Sequence, residues 1–314
     1  MTTSSAATRS DGQLEAVLRA GQFALTAETS PPDSADPEKV IDRVACLKGL
    51  ADAVNVTDGA GARSHMSAFA AAAIMAREGI DPVLQFTCRD RNRLAIQGDL
   101  IGAAAMGIHN ILCLHGDDMK NGDQPEAKMV HDVDSRGLLT MTRDMRDKGE
   151  LPSGRAIDPP PRLFAGAADM PREIDADWKP DGLIGKIDAG ADFFQTQYCF
   201  DMGTARRYFG RLKDEGITDR APFLVGLAPF ASAKSAKWMN DNLHGVNVPE
   251  GMIKRLEGAD DQKAEGRKIC LELLAELQEI DGVAGAHLMA PRAEASIAQV
   301  IEESGIRAAR GAGA

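Results

Sequence analysis

The chain reads as an α/β protein built as one (β/α)8 TIM barrel with an extra helical segment before strand eight. Three observations carry this reading: eight short apolar runs recur along 314 residues, most are followed by a helix-like stretch, and each stops at a polar or ionisable residue or at a proline. Continuous apolar runs of about four to eight residues are the pattern of strands buried on both faces of a parallel sheet. Eight of them fit a closed barrel of about 250 residues, whose chemistry sits at the C-terminal ends of its strands. The stops are therefore candidate site residues.

The first run, 23–27, ends at Glu28, and the second, 53–56, at Thr57 and Asp58. Between them 36–50 opens with Asp-Pro-Glu, an N-cap acid before a proline at the first helical position and an acid in the first turn. The alanine-rich stretch 64–78 gives the next helix, and the third run, 83–86, ends at Thr87, Cys88 and Arg89. A helix over 91–106 leads to the fourth run, 111–114, which ends at His115, Gly116 and Asp117. Helix 134–148 stops at Gly149 and precedes the fifth run, 163–168, ending at Asp169. Helix 180–189 leads to the sixth run, 193–196, ending at Gln197; helix 202–215 leads to the seventh, 223–227, ending at Pro229. Two further helical stretches, 249–256 and 260–280, the second burying Leu271, Leu273, Leu274 and Leu277, precede the eighth run, 283–289, which ends at Arg292. Each crossover is long enough to return the next strand parallel. Stretches 118–133 and 149–162 exceed ordinary loop length and flank strands four and five, so a lid is expected on one side of the mouth.

A hydrophobic content of 44% supports a real core, and the composition shows no midpoint shift. The expected organisation is a loosely packed or disordered lead over 1–20, one barrel domain over 21–306 and a flexible Ala/Gly/Arg tail over 307–314. A net charge of -11 and a pI near 5.1 argue against nucleic acid as a partner. The longest apolar stretch, 68–76, is far shorter than the ~20 residues of a membrane span, and residues 1–12 lack an apolar signal core, so a cytoplasmic location is expected. Five scattered cysteines without a Cys-x-x-Cys pair suit reduced core thiols, with no metal site; of them Cys88 alone lies at a strand end.

Six strings in register then point to a family. They are F-A-L-T-A-E-T-S-P-P at 23–32, N-V-T-D-G at 55–59, F-T-C at 86–88, L-H-G-D at 114–117, G-K-I-D-A-G-A-D-F-F-Q-T-Q-Y-C-F-D at 185–201 and P-R-A-E at 291–294. Across about 23–305 the chain resembles methylenetetrahydrofolate reductase. The resemblance implies a barrel that uses FAD to move a hydride from NAD(P)H to 5,10-methylenetetrahydrofolate, giving 5-methyltetrahydrofolate, or the reverse. It also implies a role in one-carbon metabolism and methionine biosynthesis; a homo-oligomer is the expected assembly.

By this resemblance Glu28 is the general acid that protonates N10 as the substrate ring opens to the N5 iminium. Apolar packing beside Pro31 and Pro32 is expected to lift its pKa toward neutrality. Without the resemblance, a lone Glu at a strand end is more often a helix cap or surface acid. Asp117 matches the acid between flavin and folate, although a cap for the segment that follows is the simpler reading. Gln197 matches the amide that pairs with the pterin, and Arg292 the base that meets the folate tail. Thr57, Asp58, His115, Gly116, Asp117, Gly166, Ala167 and Lys186 fall on the flavin shell, with Lys186 toward the diphosphate. No G-x-G-x-x-G turn is present, so barrel-end groups would hold a flavin. The sequence departs from the family at Thr29 and Ser30 (usually aromatic), His115 and Gly185 (usually basic), and Gly166 and Met170 (usually aromatic and His). These departures leave a flavin-free reductase taking hydride directly from NADH, a folate-dependent methyltransferase and a non-catalytic folate-binding subunit as alternatives.

Overall fold

The eight apolar runs become eight parallel strands: β1 (Ala24–Thr29), β2 (Ala53–Val56), β3 (Pro82–Thr87), β4 (Asn110–Leu114), β5 (Phe164–Asp169), β6 (Phe193–Tyr198), β7 (Phe223–Leu227) and β8 (Val283–Leu288). In the computed structural model, which describes residues 7–311, each pairs with the next and β8 closes on β1. Alternate residues point to opposite sides of a strand, and two apolar layers follow. Ala24, Ala53, Val83, Leu112, Phe164, Phe193 and Leu224 form one cluster inside the barrel. Their neighbours Leu25, Val54, Leu84, Cys113, Ala165, Ala167, Phe194 and Val225 pack outward with the helices.

The crossover helices lie where the apolar periodicity predicts them, with shorter ends. The first, Glu38–Val44, runs into a 3-10 turn at Ala45–Leu47, and the Asp36 carboxylate accepts from the Glu38 N–H at 3.1 Å as the expected cap. Ser135–Lys148 starts on the Asp134 cap and stops at Gly149 in the left-handed region (φ 66°). The extra segment is the pair Glu250–Glu257 and Gln262–Gln278; its Leu273, Leu274 and Leu277 are buried, whereas Leu271 is half-buried. Helices Ala233–Asn242 and Glu294–Ser304 complete the ring. No helix among the described residues is long and apolar enough to cross a membrane.

Three expectations change. The lead is not loose up to residue 20: Gln13–Arg19 is a helix whose Leu14, fully buried, closes the bottom of the barrel interior. Its Glu15 carboxylate accepts from the Ser10 N–H at 2.6 Å and from Arg19 Nε at 2.6 Å. The tail continues as the helix Ile306–Gly311, because Arg310 reaches both oxygens of the fully buried Asp52 carboxylate at 2.8 Å. Residues 1–6 and 312–314 lie outside the described part. The stretch 149–162 cannot be a lid, since it follows a helix and enters the start of β5, which places it at the bottom. There Arg162 pairs with Asp11 at 2.9 Å. Of the two long stretches only 118–133 rises from a strand's C-terminal end.

Candidate active site

The inward positions one step above the apolar plug are polar. Gln195 on β6 donates from its amide nitrogen to Asn55 Oδ1 on β2 at 2.9 Å and to the Thr26 hydroxyl on β1 at 3.1 Å. Its Oε1 accepts from Asn55 Nδ2 at 2.7 Å. The Thr26 hydroxyl lies 3.0 Å from Nδ1 of His287 on β8. All four side chains are buried, so they meet their hydrogen-bonding needs within one another's reach. With Thr26 donating to Nδ1, His287 carries its proton on Nε2, which faces the Glu28 carboxylate at 3.6 Å.

Glu28 is the next inward residue of β1. Its carboxylate accepts from Gln85 Nε2 of β3 at 2.7 Å and is 16% exposed. It opens on a cavity of about 500 Å³ at the C-terminal mouth, shared with Gln197, Asp169, Lys186, His244 and Met289. The expected setting was apolar packing beside Pro31 and Pro32. Instead an amide and an imidazole hold the acid, and the two prolines line a neighbouring cavity. Tyr198 lies close enough for the charge on Glu28, together with burial, to push its phenol up, and its hydroxyl donates to the Met289 carbonyl at 3.2 Å. That phenol stays protonated.

Gln197 reaches the cavity as the resemblance implies. Its Oε1 accepts from the Tyr198 N–H at 3.0 Å, and its amide nitrogen has no partner among the described residues, so it is free to donate to a ligand. Lys186 lies on the cavity edge and donates to the Ala168 carbonyl at 2.6 Å; burial lowers its pKa while Asp169 opposes that shift. Burial in turn raises the Asp169 carboxyl, which accepts from the Tyr208 hydroxyl at 2.9 Å. Arg292 sits elsewhere. It has a left-handed backbone (φ 61°) and lines a second cavity, about 660 Å³, with Arg43, Arg63 and His65.

The remaining shell residues do not converge on this cavity. Thr57 donates to the Ser30 hydroxyl at 3.1 Å and faces the second cavity. Asp58 is tied up by Thr87 and by Arg91 at 2.6 Å. His115 is exposed and stacked on His131, with ring centroids 4.1 Å apart. Asp117 is exposed, and its carboxylate accepts from the Gly61 N–H at 2.6 Å, away from Glu28. Gly166 faces into the barrel, but the Phe193 ring fills the space its missing side chain leaves, and Ala167 faces outward into the helical layer. Alternation along β5 explains both: of its C-terminal half, Ala168 and Asp169 are the residues that reach the mouth. Cys88 is buried and its thiol is pushed up to about 11, which suits an inert core residue.

His287, Gln85, Gln195 and Asn55 were missed because each lies within an apolar run and does not end it. The signal available was a polar residue two positions before, or in register with, a strand-end acid.

The family model for methylenetetrahydrofolate reductase matches residues 13–305. Methylenetetrahydrofolate reductase 2 of Schizosaccharomyces pombe is 28% identical over 267 residues, covering 79% of this chain but only 39% of that protein. The chain thus spans about two fifths of this relative's length. The 5,10-methylenetetrahydrofolate reductase of Salmonella typhimurium is 26% identical over 253 residues, covering 79% of this chain and 78% of the relative. Among solved structures, a Clostridium thermocellum protein that binds two copies of 5-methyl-5,6,7,8-tetrahydrofolic acid superposes with a TM-score of 0.60 at 14% identity, covering 93% of this chain and 99% of that one. At that identity the likeness shows the fold.

Proposed function

The chain belongs to the methylenetetrahydrofolate reductase family, and on that premise we propose that it interconverts 5,10-methylenetetrahydrofolate and 5-methyltetrahydrofolate with NAD(P)H as hydride donor. The observation that carries this reading is the carboxyl of Glu28 at the floor of the mouth cavity, held by Gln85 at 2.7 Å and faced by His287. The pterin pairs with the free amide nitrogen of Gln197. Glu28 gives a proton to N10 as the C–N10 bond breaks, leaving the N5 iminium. Hydride then adds to the methylene carbon, and the iminium becomes the N5-methyl amine. In the reverse direction the Glu28 carboxylate takes the proton back. Gln85 and His287 fix the carboxyl in place, so the proton is delivered without a search over rotamers. Asp117 has no step in this scheme, since its carboxylate is engaged by the Gly61 N–H. The folate tail leaves the cavity toward Arg292, Arg43 and Arg63.

The experiment is conversion of methylenetetrahydrofolate by the purified chain with NADH or NADPH, beside Glu28→Gln. The expected loss is about 100- to 10,000-fold in turnover, the ordinary worth of a placed general acid, with affinity for 5-methyltetrahydrofolate largely kept. Full turnover in Glu28→Gln would remove Glu28 from the role. Absence of any turnover in the wild type, with methyl transfer to a thiol or corrinoid in its place, would replace the reading with a methyltransferase.

A further inference from the structure

Relatives in this family generally use FAD, yet the groups that would line a flat tricyclic ring here are engaged with one another. Arg89, 3% exposed, fills the crevice between the ends of β2, β3 and β4. It donates to the Gly59 carbonyl at 3.1 Å and to the Asp117 carbonyl at 3.3 Å, and pairs with Asp90 at 2.8 Å. A side chain at Gly116 would begin 2.7 Å from Arg89 Cβ, and one at Gly59 would collide with its guanidinium. Asp58 is spent on Arg91, and the Phe193 ring takes the space at Gly166. The residues present do not fit a flavin ring.

The opposite edge of the mouth differs. Lys186 makes one hydrogen bond, to the Ala168 carbonyl. The Arg136 guanidinium projects over Gly185, 3.0 Å from where a side chain there would start, and it makes no hydrogen bond or ion pair among the described residues. Arg136 thus stands in the space where relatives carry a basic residue in sequence beside the lysine. Arg136 and Lys186 are near enough for the arginine to disfavour the lysine's charge, and Asp169 is the carboxylate facing that lysine. Two adjacent cations of which one is unpaired form a receptor for a dianion such as a dinucleotide diphosphate.

We infer that this chain has closed the flavin-ring end of the site and kept its diphosphate end for the nicotinamide dinucleotide itself, so that hydride passes directly from nicotinamide to folate. The inference rests on the function proposed above. The C4–H bond of the dihydronicotinamide breaks with its electron pair, and a C–H bond forms at the methylene carbon of the N5 iminium. The dihydronicotinamide is oxidised to nicotinamide, the iminium is reduced to the methyl amine, and Glu28 supplies the proton on N10.

The test follows deuterium from NADH labelled at C4, one epimer at a time, into product made by the full-length purified chain, with and without added FAD. Direct transfer places one deuterium in the methyl group from one of the two epimers, whether or not FAD is added. Transfer through a flavin loses the label to water, because a hydrogen on the reduced flavin nitrogen exchanges with solvent. Unlabelled methyl groups from both epimers, or turnover that requires FAD, would overturn the inference and leave the folate reaction standing. Failure to form methyl-folate in every arm would overturn the proposed function itself. In a second arm, Arg136→Ala raises the KM for NADH about tenfold or more, the worth of one charge-assisted hydrogen bond, with the KM for folate unchanged. A KM for NADH within twofold of the wild type would overturn the diphosphate assignment.

Discussion

Replacing Gln195 by Leu removes an amide of similar size from the polar layer beneath Glu28. Three bonds are lost: to Asn55 Oδ1 at 2.9 Å, from Asn55 Nδ2 at 2.7 Å and to the Thr26 hydroxyl at 3.1 Å. Thr26 keeps His287 as a partner, but both ends of the Asn55 amide, wholly inaccessible to water, are stranded. An unsatisfied buried polar group costs about 1–3 kcal/mol, so two give roughly 2–6 kcal/mol of destabilisation. If the penalty arises from stranding, Asn55→Leu with Gln195→Leu costs less than the sum of the single changes, by a coupling of about 1–3 kcal/mol. Urea unfolding of the wild type, both single variants and the double variant measures the cycle. A Gln195→Leu loss under about 1 kcal/mol, or strict additivity, would refute the view that this layer is a closed network of mutually satisfied groups.

Other expectations follow from the same geometry. Leu14→Ala opens a cavity under the barrel plug and should cost about 2–5 kcal/mol in urea unfolding; a loss near zero would mean the N-terminal helix is not docked. Arg310→Ala strands the buried Asp52 carboxylate and should cost about 3–5 kcal/mol, read by the same melt. Burial holds the Asp169 carboxyl above its ordinary range, so the folded state binds that proton more tightly than the unfolded chain. That contribution is full below the ordinary carboxylate range and is lost as pH rises through the raised value. Asp169→Asn should therefore gain stability relative to the wild type at neutral and alkaline pH but not in acid, as unfolding midpoints across pH will show. His287→Leu should lower kcat and displace the pH profile of kcat/KM while leaving folate affinity in place, because His287 acts through Glu28; an unmoved profile would make it structural only.

The strands were legible because a barrel strand buried on both faces leaves a continuous apolar run, and all eight ends fall within a few residues of the runs. Glu28, Gln197 and Lys186 were legible because strand ends and the family register place them, and the three share one cavity. Parity hid the rest. Gly166 and Ala167 stand one residue apart on β5 and face opposite sides, so small size alone did not show which was available. The loop 149–162 was misplaced by the same kind of error, since a stretch that follows a helix returns to the bottom of a barrel. Arg89, read as one polar stop among several, fills the crevice that decides the flavin question, and no local pattern shows where a long side chain will lie. Asp117 was drawn away by a backbone N–H on the neighbouring strand-end loop, a contact between residues 56 positions apart in sequence.

The measurement that bears most directly on the proposed chemistry is a crystal structure of the chain with 5-methyltetrahydrofolate. The expected result places the pterin in the mouth cavity, N10 within hydrogen-bond distance of the Glu28 carboxyl and the Gln197 amide on the pterin edge. A folate bound only in the Arg43, Arg63 and Arg292 cavity, with Glu28 still facing Gln85 and His287 and touching no ligand, would contradict it.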